Sequence, residues 1–194
     1  GYAVDGIHLD YVRYPNEHYD FSPIAQSVYW SDTDKEAPAT GSSTDDRKVW
    51  NRWRSEQVTR FVRSTKELVR KRRKTVEVSA AVKPDHVLAY QRYGQNWVHW
   101  VNRRYLDFVI PMFYTGTTEK VKEQMRTVRK YVQKGRVYAG IGAWNQTTAN
   151  TLDQIDAAFA TRLSGFSLFS YDTVVTSSDL RTALRERYAS GGQP

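Results

Sequence analysis

The 194-residue chain contains no cysteine. Disulfides and thiolate metal sites are therefore excluded. Its four histidines, His8, His18, His86 and His99, form no i, i+4 pair and no H-E-x-x-H spacing, so no metal site is expected. No apolar run approaches the roughly 20 residues needed to span a membrane. A phosphate-cradling loop is missing as well. Gly140-Ile141-Gly142 lacks the third glycine and the strand–helix context of a dinucleotide fingerprint. The absence of G-x-S-x-G removes the serine-hydrolase elbow. No cofactor is expected on these grounds.

Acidic residues are the scarcer charge, 21 against 29 basic, for a formal net charge of +8. Such an excess can serve a polyanion. Here, however, the basic residues concentrate on helical segments, notably Arg70-Lys71-Arg72-Arg73-Lys74 at the end of one. Cations there complement the helix dipole and solvate an outer face. No RNA- or DNA-binding motif accompanies them. Nucleic acid is not an expected partner.

What is present is a regular alternation of short apolar runs and longer helical periods. That pattern argues for βαβ units, a parallel sheet and an α/β class, and the length fits one domain. A first strand stops at Pro15. The stretch Asn16–Asp45, rich in Ser, Thr and Asp, reads as a long functional loop. A helix is expected over about Asp46–Arg73, capped by Ser43 or Thr44, with Trp50, Val58, Phe61, Val62, Thr65, Leu68 and Val69 as its inward stripe. Strands are expected near Thr75–Val82, Leu106–Tyr114, Val137–Ala143 and Gly165–Tyr171. Helices are expected near Asn96–Arg103, from Thr117 or Thr118 to a left-handed cap at Gly135, over Thr151–Leu163 and over Ser178–Tyr188. Residues 190–194, rich in glycine, read as a frayed tail.

The densest motif is Asp5-Gly6-Ile7-His8-Leu9-Asp10-Tyr11-Val12-Arg13-Tyr14-Pro15. Residues two apart on a strand share a face, so His8 and Asp10 arrive together while Ile7 and Leu9 pack the other way. A carboxylate and an imidazole at the C-terminal end of a strand stand where parallel α/β proteins keep their chemistry. Arg13 is expected to neutralise or orient that carboxylate. This segment resembles the fourth strand of glycoside-hydrolase (β/α)8 barrels, and most closely the glycosyl-hydrolase-like 10 family. Val78–Val82, Asp107–Tyr114, Gly140–Trp144 and Gly165–Tyr171 resemble that family too, in the same order.

The resemblance implies a partial (β/α)8 TIM barrel, strands four to eight with their helices. A complete barrel takes about 250 residues. The N-terminal half of the barrel is therefore expected to be missing from this chain, with residues 1–189 forming the C-terminal portion of the single domain. The implied function is a glycoside hydrolase acting on a polysaccharide or cell-wall glycan. A non-catalytic glycan-binding barrel is the alternative. Members of the family are usually exported or envelope-associated, so an extracellular or envelope location is implied.

Glycoside hydrolysis usually needs two carboxyl groups across the bond. Asp10 is the expected nucleophile or charge stabiliser. His8 reads as a hydrogen-bond partner of substrate or of Asp10, or as a satisfied barrel-interior histidine. Asp5, at the start of the strand, reads as structural. The second carboxylate is less evident: where chitinases keep a glutamate, this chain has Val12. Asp172, directly after the last strand, is the better candidate, ahead of Asp85, Glu17 and Asp20. Sugar rings stack on aromatic faces, and Tyr11, Tyr14, Tyr114, Trp144 and Tyr171 fall at or near strand ends, with Asn145 available for hydroxyls. Trp97 and Trp100, spaced i, i+3, read as helix packing.

Overall fold

The computed structural model describes residues 3–39 and 41–188; the tail at 190–194 lies outside the described residues. Five strands form one sheet: β1 (Gly6–Leu9), β2 (Glu77–Val82), β3 (Phe108–Phe113), β4 (Arg136–Gly142) and β5 (Gly165–Phe169). Every pairing is parallel and follows chain order, β1-β2-β3-β4-β5. Parallel neighbours need a crossover, and helices supply each one. The sheet curls into a half-barrel, so the chain is a partial (β/α)8 barrel.

Register decides which side chains face the helices. Ile7 pairs with Val78, Ala80 with Val109, Val109 with Val137 and Ile141 with Leu168. Val78, Ala80, Val82, Val109, Phe113, Val137, Ala139 and Ile141 are buried in one core cluster with Val62, Val69, Trp97, Trp100, Val121, Met125 and Ile155 from the helices. Trp97 and Trp100 are thus packing residues, and the Trp100 indole donates to Thr59 Oγ1 at 2.8 Å. The alternate set, including His8, Ser79, Tyr138 and Gly140, faces the barrel axis.

The helices are α1 (Pro23–Thr33), α2 (Thr44–Arg72), α3 (His86–Tyr93), α4 (Trp97–Asn102), α5 (Thr118–Tyr131), α6 (Thr148–Ala160), α7 (Tyr171–Thr176) and α8 (Ser178–Tyr188). Ser43 caps α2, accepting from the Asp46 N–H, with acids in the first turn and Arg70, Lys71 and Arg72 exposed in the last. Three helices depart from the sequence reading. The expected long loop contains α1, started by Ser22, whose hydroxyl accepts from the Ala25 N–H at 3.2 Å, and by Pro23 in the first turn. This helix packs Tyr29 against Trp50 and Trp53 in a second aromatic cluster. Asp85 caps α3, and Ser170 caps α7.

The inward stripe of α2 also differs. Phe61 and Leu68 are 57% and 59% exposed, whereas Trp53, Arg54, Ser55 and Thr59 are buried beside Val62 and Val69. Residues 61 and 68 form a column one residue, about 100°, from the buried 62 and 69, and the sheet takes only the latter. Gly135 does adopt a left-handed φ of +82°, but α5 has already ended with Val132 as its cap. The glycine is needed there for space: a Cβ would meet Val101 Cγ2 at 2.5 Å.

Candidate active site

Asp10 follows directly on the last residue of β1 and is exposed at the mouth where the parallel strands finish. One carboxylate oxygen, Oδ1, accepts from the Tyr11 N–H at 2.7 Å. Tyr11 makes that bond from a left-handed conformation, φ 53°, which costs a non-glycine residue on the order of 1 kcal/mol. The turn is closed by the Arg13 N–H donating to the Tyr11 carbonyl at 2.8 Å. His8 lies one pleat below. Its Nδ1 is 2.8 Å from Ser79 Oγ, the residue opposite it in the β1–β2 register. Burial lowers the His8 pKa below its ordinary value, and the Asp10 charge opposes this in part. At neutral pH the imidazole is therefore uncharged, with Nδ1 engaged by a hydroxyl rather than by Asp10.

Tyr114 stands on the same mouth beyond β3. Burial raises its phenol pKa, and the Asp10 carboxylate adds to the rise, so the hydroxyl keeps its proton as a donor. The Tyr114 ring belongs to a triad. It lies 4.8 Å from Trp144, edge on, and 5.6 Å from Phe169, stacked, while Trp144 and Phe169 meet edge on at 5.3 Å. Gly142 explains the arrangement. It pairs with Phe169 across β4–β5, and one residue on from the Phe113–Ile141 pair Tyr114 comes level with it on the other side. A Cβ on Gly142 would sit 2.5 Å from Trp144 Cζ3. The bare backbone is the slot into which Trp144 folds from its 3-10 turn, Ala143–Asn145. Trp144 and Phe169 remain 47% and 53% exposed, which leaves apolar surface free for a ligand.

Lys83 extends the axis-facing row of β2, two residues beyond Ala81. Its N–H donates to Oε1 of the fully buried Gln95 at 2.8 Å, and Gln95 Nε2 donates to Ala81 O and Val12 O at 3.3 and 3.4 Å. One amide thus ties the ends of β1 and β2 together. The mouth therefore gathers a carboxylate, a neutral imidazole, a protonated phenol and an aromatic platform. The sequence profile of the Glycosyl hydrolase-like 10 family matches residues 1–160. The chain belongs to that family. The match spans β1 to β4, with Asp10, Tyr114 and Trp144, and stops short of β5. No curated protein matches the chain.

Other residues that the sequence suggested for this glycosyl hydrolase-like site are placed differently. Arg13 does not pair with Asp10. Its guanidinium lies 4.0 Å over the Tyr11 ring and 5.3 Å from that of Tyr93, and Nη1 donates to the Tyr14 carbonyl at 3.3 Å. The positive φ at Tyr11 carries the chain away from Asp10 before Arg13 is reached. Tyr14 lies under the buried Arg54 guanidinium, at 4.4 Å. Tyr171 is not on the strand: β5 ends at Phe169 and Ser170 begins α7, so Tyr171 opens that helix, 77% exposed and outside the aromatic triad. Phe169 takes the place expected of it.

Asp172 stands exposed in the first turn of α7, beyond β5, at the sheet edge opposite β1 and Asp10. The remaining acids are occupied. Asp85 accepts from the Val87 and Leu88 N–H groups at the start of α3, Asp20 from the Ser22 N–H and hydroxyl, and Glu17 from Arg92. Asp5 is at the opposite mouth, where its carbonyl accepts from the Glu77 N–H. Asn145 is exposed beside Trp144. Phe169, Lys83, Tyr93 and Gln95 were missed from sequence. Strand parity was the available signal for Phe169 and Lys83, and Ser170 with Asp172 in the next turn was a helix-start signal that would have removed Tyr171.

Proposed function

We propose that the mouth of the half-barrel binds a glycan and that the chain is a glycoside hydrolase, with Asp10 as the carboxylate that attacks or stabilises the reacting sugar. The observation that carries the reading is an exposed Asp10 carboxylate at the C-terminal ends of parallel strands, next to an exposed aromatic platform. Aromatic faces hold the apolar C–H side of a sugar. Tyr114, protonated at neutral pH, is a donor for a sugar oxygen or for Asp10. Neutral His8 offers its second ring nitrogen to the same space.

In this reading Asp172 is the second carboxylate. It stands on the same mouth without a side-chain partner among the described residues. The substrate class is a cell-wall or related polysaccharide, and the location is extracellular or in the cell envelope, both on the strength of the family. The test is release of reducing ends from peptide-free bacterial cell-wall glycan strands by the protein and by Asp10→Asn. Loss of about 10²–10⁴-fold is expected, and equal rates would overturn the role of Asp10. Asp172→Asn should cleave an aryl glycoside with a good leaving group better than it cleaves the natural glycan, because such a group needs no proton.

A second reading is favoured by one observation: Asp10 follows β1 and Asp172 follows β5, the first and last strands of the sheet order, so the two carboxylates stand at opposite edges. It is a glycan-binding half-barrel without turnover. It predicts measurable affinity for the same strands and no reducing ends released, and turnover lost on Asp10→Asn would exclude it.

A further inference from the structure

Most of the basic residues in excess are exposed on outer helix faces, such as Arg70, Lys71 and Arg72 at the end of α2. Two are not. Arg13 and Lys83 follow β1 and β2 on the mouth side, and each is half-buried. They converge on one ring: the Arg13 guanidinium lies 5.3 Å and the Lys83 ammonium 5.5 Å from the Tyr93 centroid. Among the described residues neither has a carboxylate partner, although nine ion pairs occur elsewhere in the chain. A ring attracts a cation without cancelling its charge.

Holding two like charges together in partial burial is unfavourable. Burial, and then the Arg13 charge, lowers the Lys83 pKa below its ordinary value. The pair is nevertheless held firmly. Gln95 fixes the backbone of Lys83 and the carbonyl of Val12, and Tyr11 underlies Arg13 at 4.0 Å. Rigid, converging, uncompensated cations at a ligand-binding mouth are complementary to an anion. A guanidinium fork matches a carboxylate in two parallel hydrogen bonds.

We propose that Arg13 and Lys83 form a carboxylate-reading subsite, so that the glycan bound at this mouth carries a carboxylate on the sugar next to the one at Asp10. This rests on the glycan reading above and adds to it a charge requirement and the residues that impose it. It also gives Arg13 a role different from setting the charge of Asp10. The cost of concentrating positive charge here is relieved only when the anion binds, so affinity and selectivity come from the same two groups.

The experiment uses peptide-free cell-wall glycan strands, whose sugars bear free carboxylates, and the same strands after chemical reduction of those carboxyls to alcohols. Calorimetry on the whole chain at neutral pH should give at least about tenfold tighter binding to the carboxylated strands, with the difference shrinking as salt is raised. Arg13→Gln and Lys83→Gln should each reduce that ratio toward one. Lys83→Arg, which keeps the charge, should preserve most of it and show that a lost ratio is not lost folding, whereas Arg13→Lys, which keeps the charge but not the fork, should leave an intermediate ratio. Equal wild-type affinity for the two forms would overturn the carboxylate subsite and leave the glycan reading standing. Binding of neither form would overturn both.

Discussion

At the residue scale the site turns on two positions whose surroundings decide their behaviour. Gly142 has no turn to make; it is required by the ring of Trp144 lying on it, 2.5 Å from where a Cβ would be. Gly142→Ala should push Trp144 off the platform. Overpacking of this kind costs about 1–3 kcal/mol, and glycan affinity should fall from a few-fold to about tenfold with the lost aromatic contact. Near-UV circular dichroism would register the displaced indole, and an unchanged spectrum with unchanged affinity would show that the slot is not needed. His8 supplies the pH dependence. Its folded pKa is lowered by burial, so between that value and the ordinary 6.5 the unfolded chain holds a proton that the folded protein does not. The stability due to His8 is fully present above pH 6.5 and is lost as pH falls below it. An NMR titration of His8 should show a midpoint under 6.5, and His8→Gln should flatten the decline; a midpoint above 6.5 would mean that the Asp10 charge outweighs burial. Asp10, His8, Tyr114 and Trp144 were all legible in the sequence, because period-two alternation places strand-end residues without knowledge of tertiary contacts. Arg13 was misread because one left-handed residue, Tyr11, redirects the chain, and nothing in a tyrosine announces a positive φ.

At the element scale, four strands were legible to within two residues, and crossover helices were less legible. The first strand, β1, ended at Leu9, well short of the expected Pro15, because the Tyr11 turn breaks it. Strands are fixed by short apolar runs between breakers, which the sequence displays. The helix α1 was hidden by the polar composition of its surroundings, although Ser22 followed by Pro23 is a start signal. Its aromatic partners Trp50 and Trp53 lie on α2, after a connecting segment, so the burial that stabilises it is non-local. Ser22→Ala should cost about 1 kcal/mol, seen as a lower denaturation midpoint. The junction of β1 and β2 is more sensitive. Gln95, fully buried, satisfies one N–H and two carbonyls from three separate residues. Gln95→Leu fits the volume but leaves those groups without partners, at about 1–3 kcal/mol for a buried polar group. Because the same amide sets Lys83, the variant should also lose glycan affinity beyond what its stability loss explains. Denaturant titration and calorimetry on one preparation separate the two effects. A variant as stable as the parent would mean that water replaces the amide.

At the scale of the whole molecule, alternation of strand and helix was enough to foresee the parallel order, and family resemblance was needed to foresee the curl. A closed barrel has no sheet edge, whereas among the described residues β1 pairs only with β2 and β5 only with β4. The consequence is visible in burial. β2, β3 and β4 each bury residues on the helix side completely, whereas no residue of β1 or β5 is fully buried. Ile7 is exposed on β1, and Val4 just before it. Unpaired N–H and C=O groups beside exposed β-branched side chains are a template for another strand. The 194-residue chain should therefore associate with itself as its concentration rises, and sedimentation velocity should resolve species larger than one chain. A charge on an edge strand opposes such pairing, so Ile7→Lys should shift the distribution toward single chains while the far-ultraviolet spectrum stays unchanged. Were the parent to sediment as one chain at every concentration, the edges would have to be satisfied by solvent alone, and the exposed face of β1 would carry no tendency to pair.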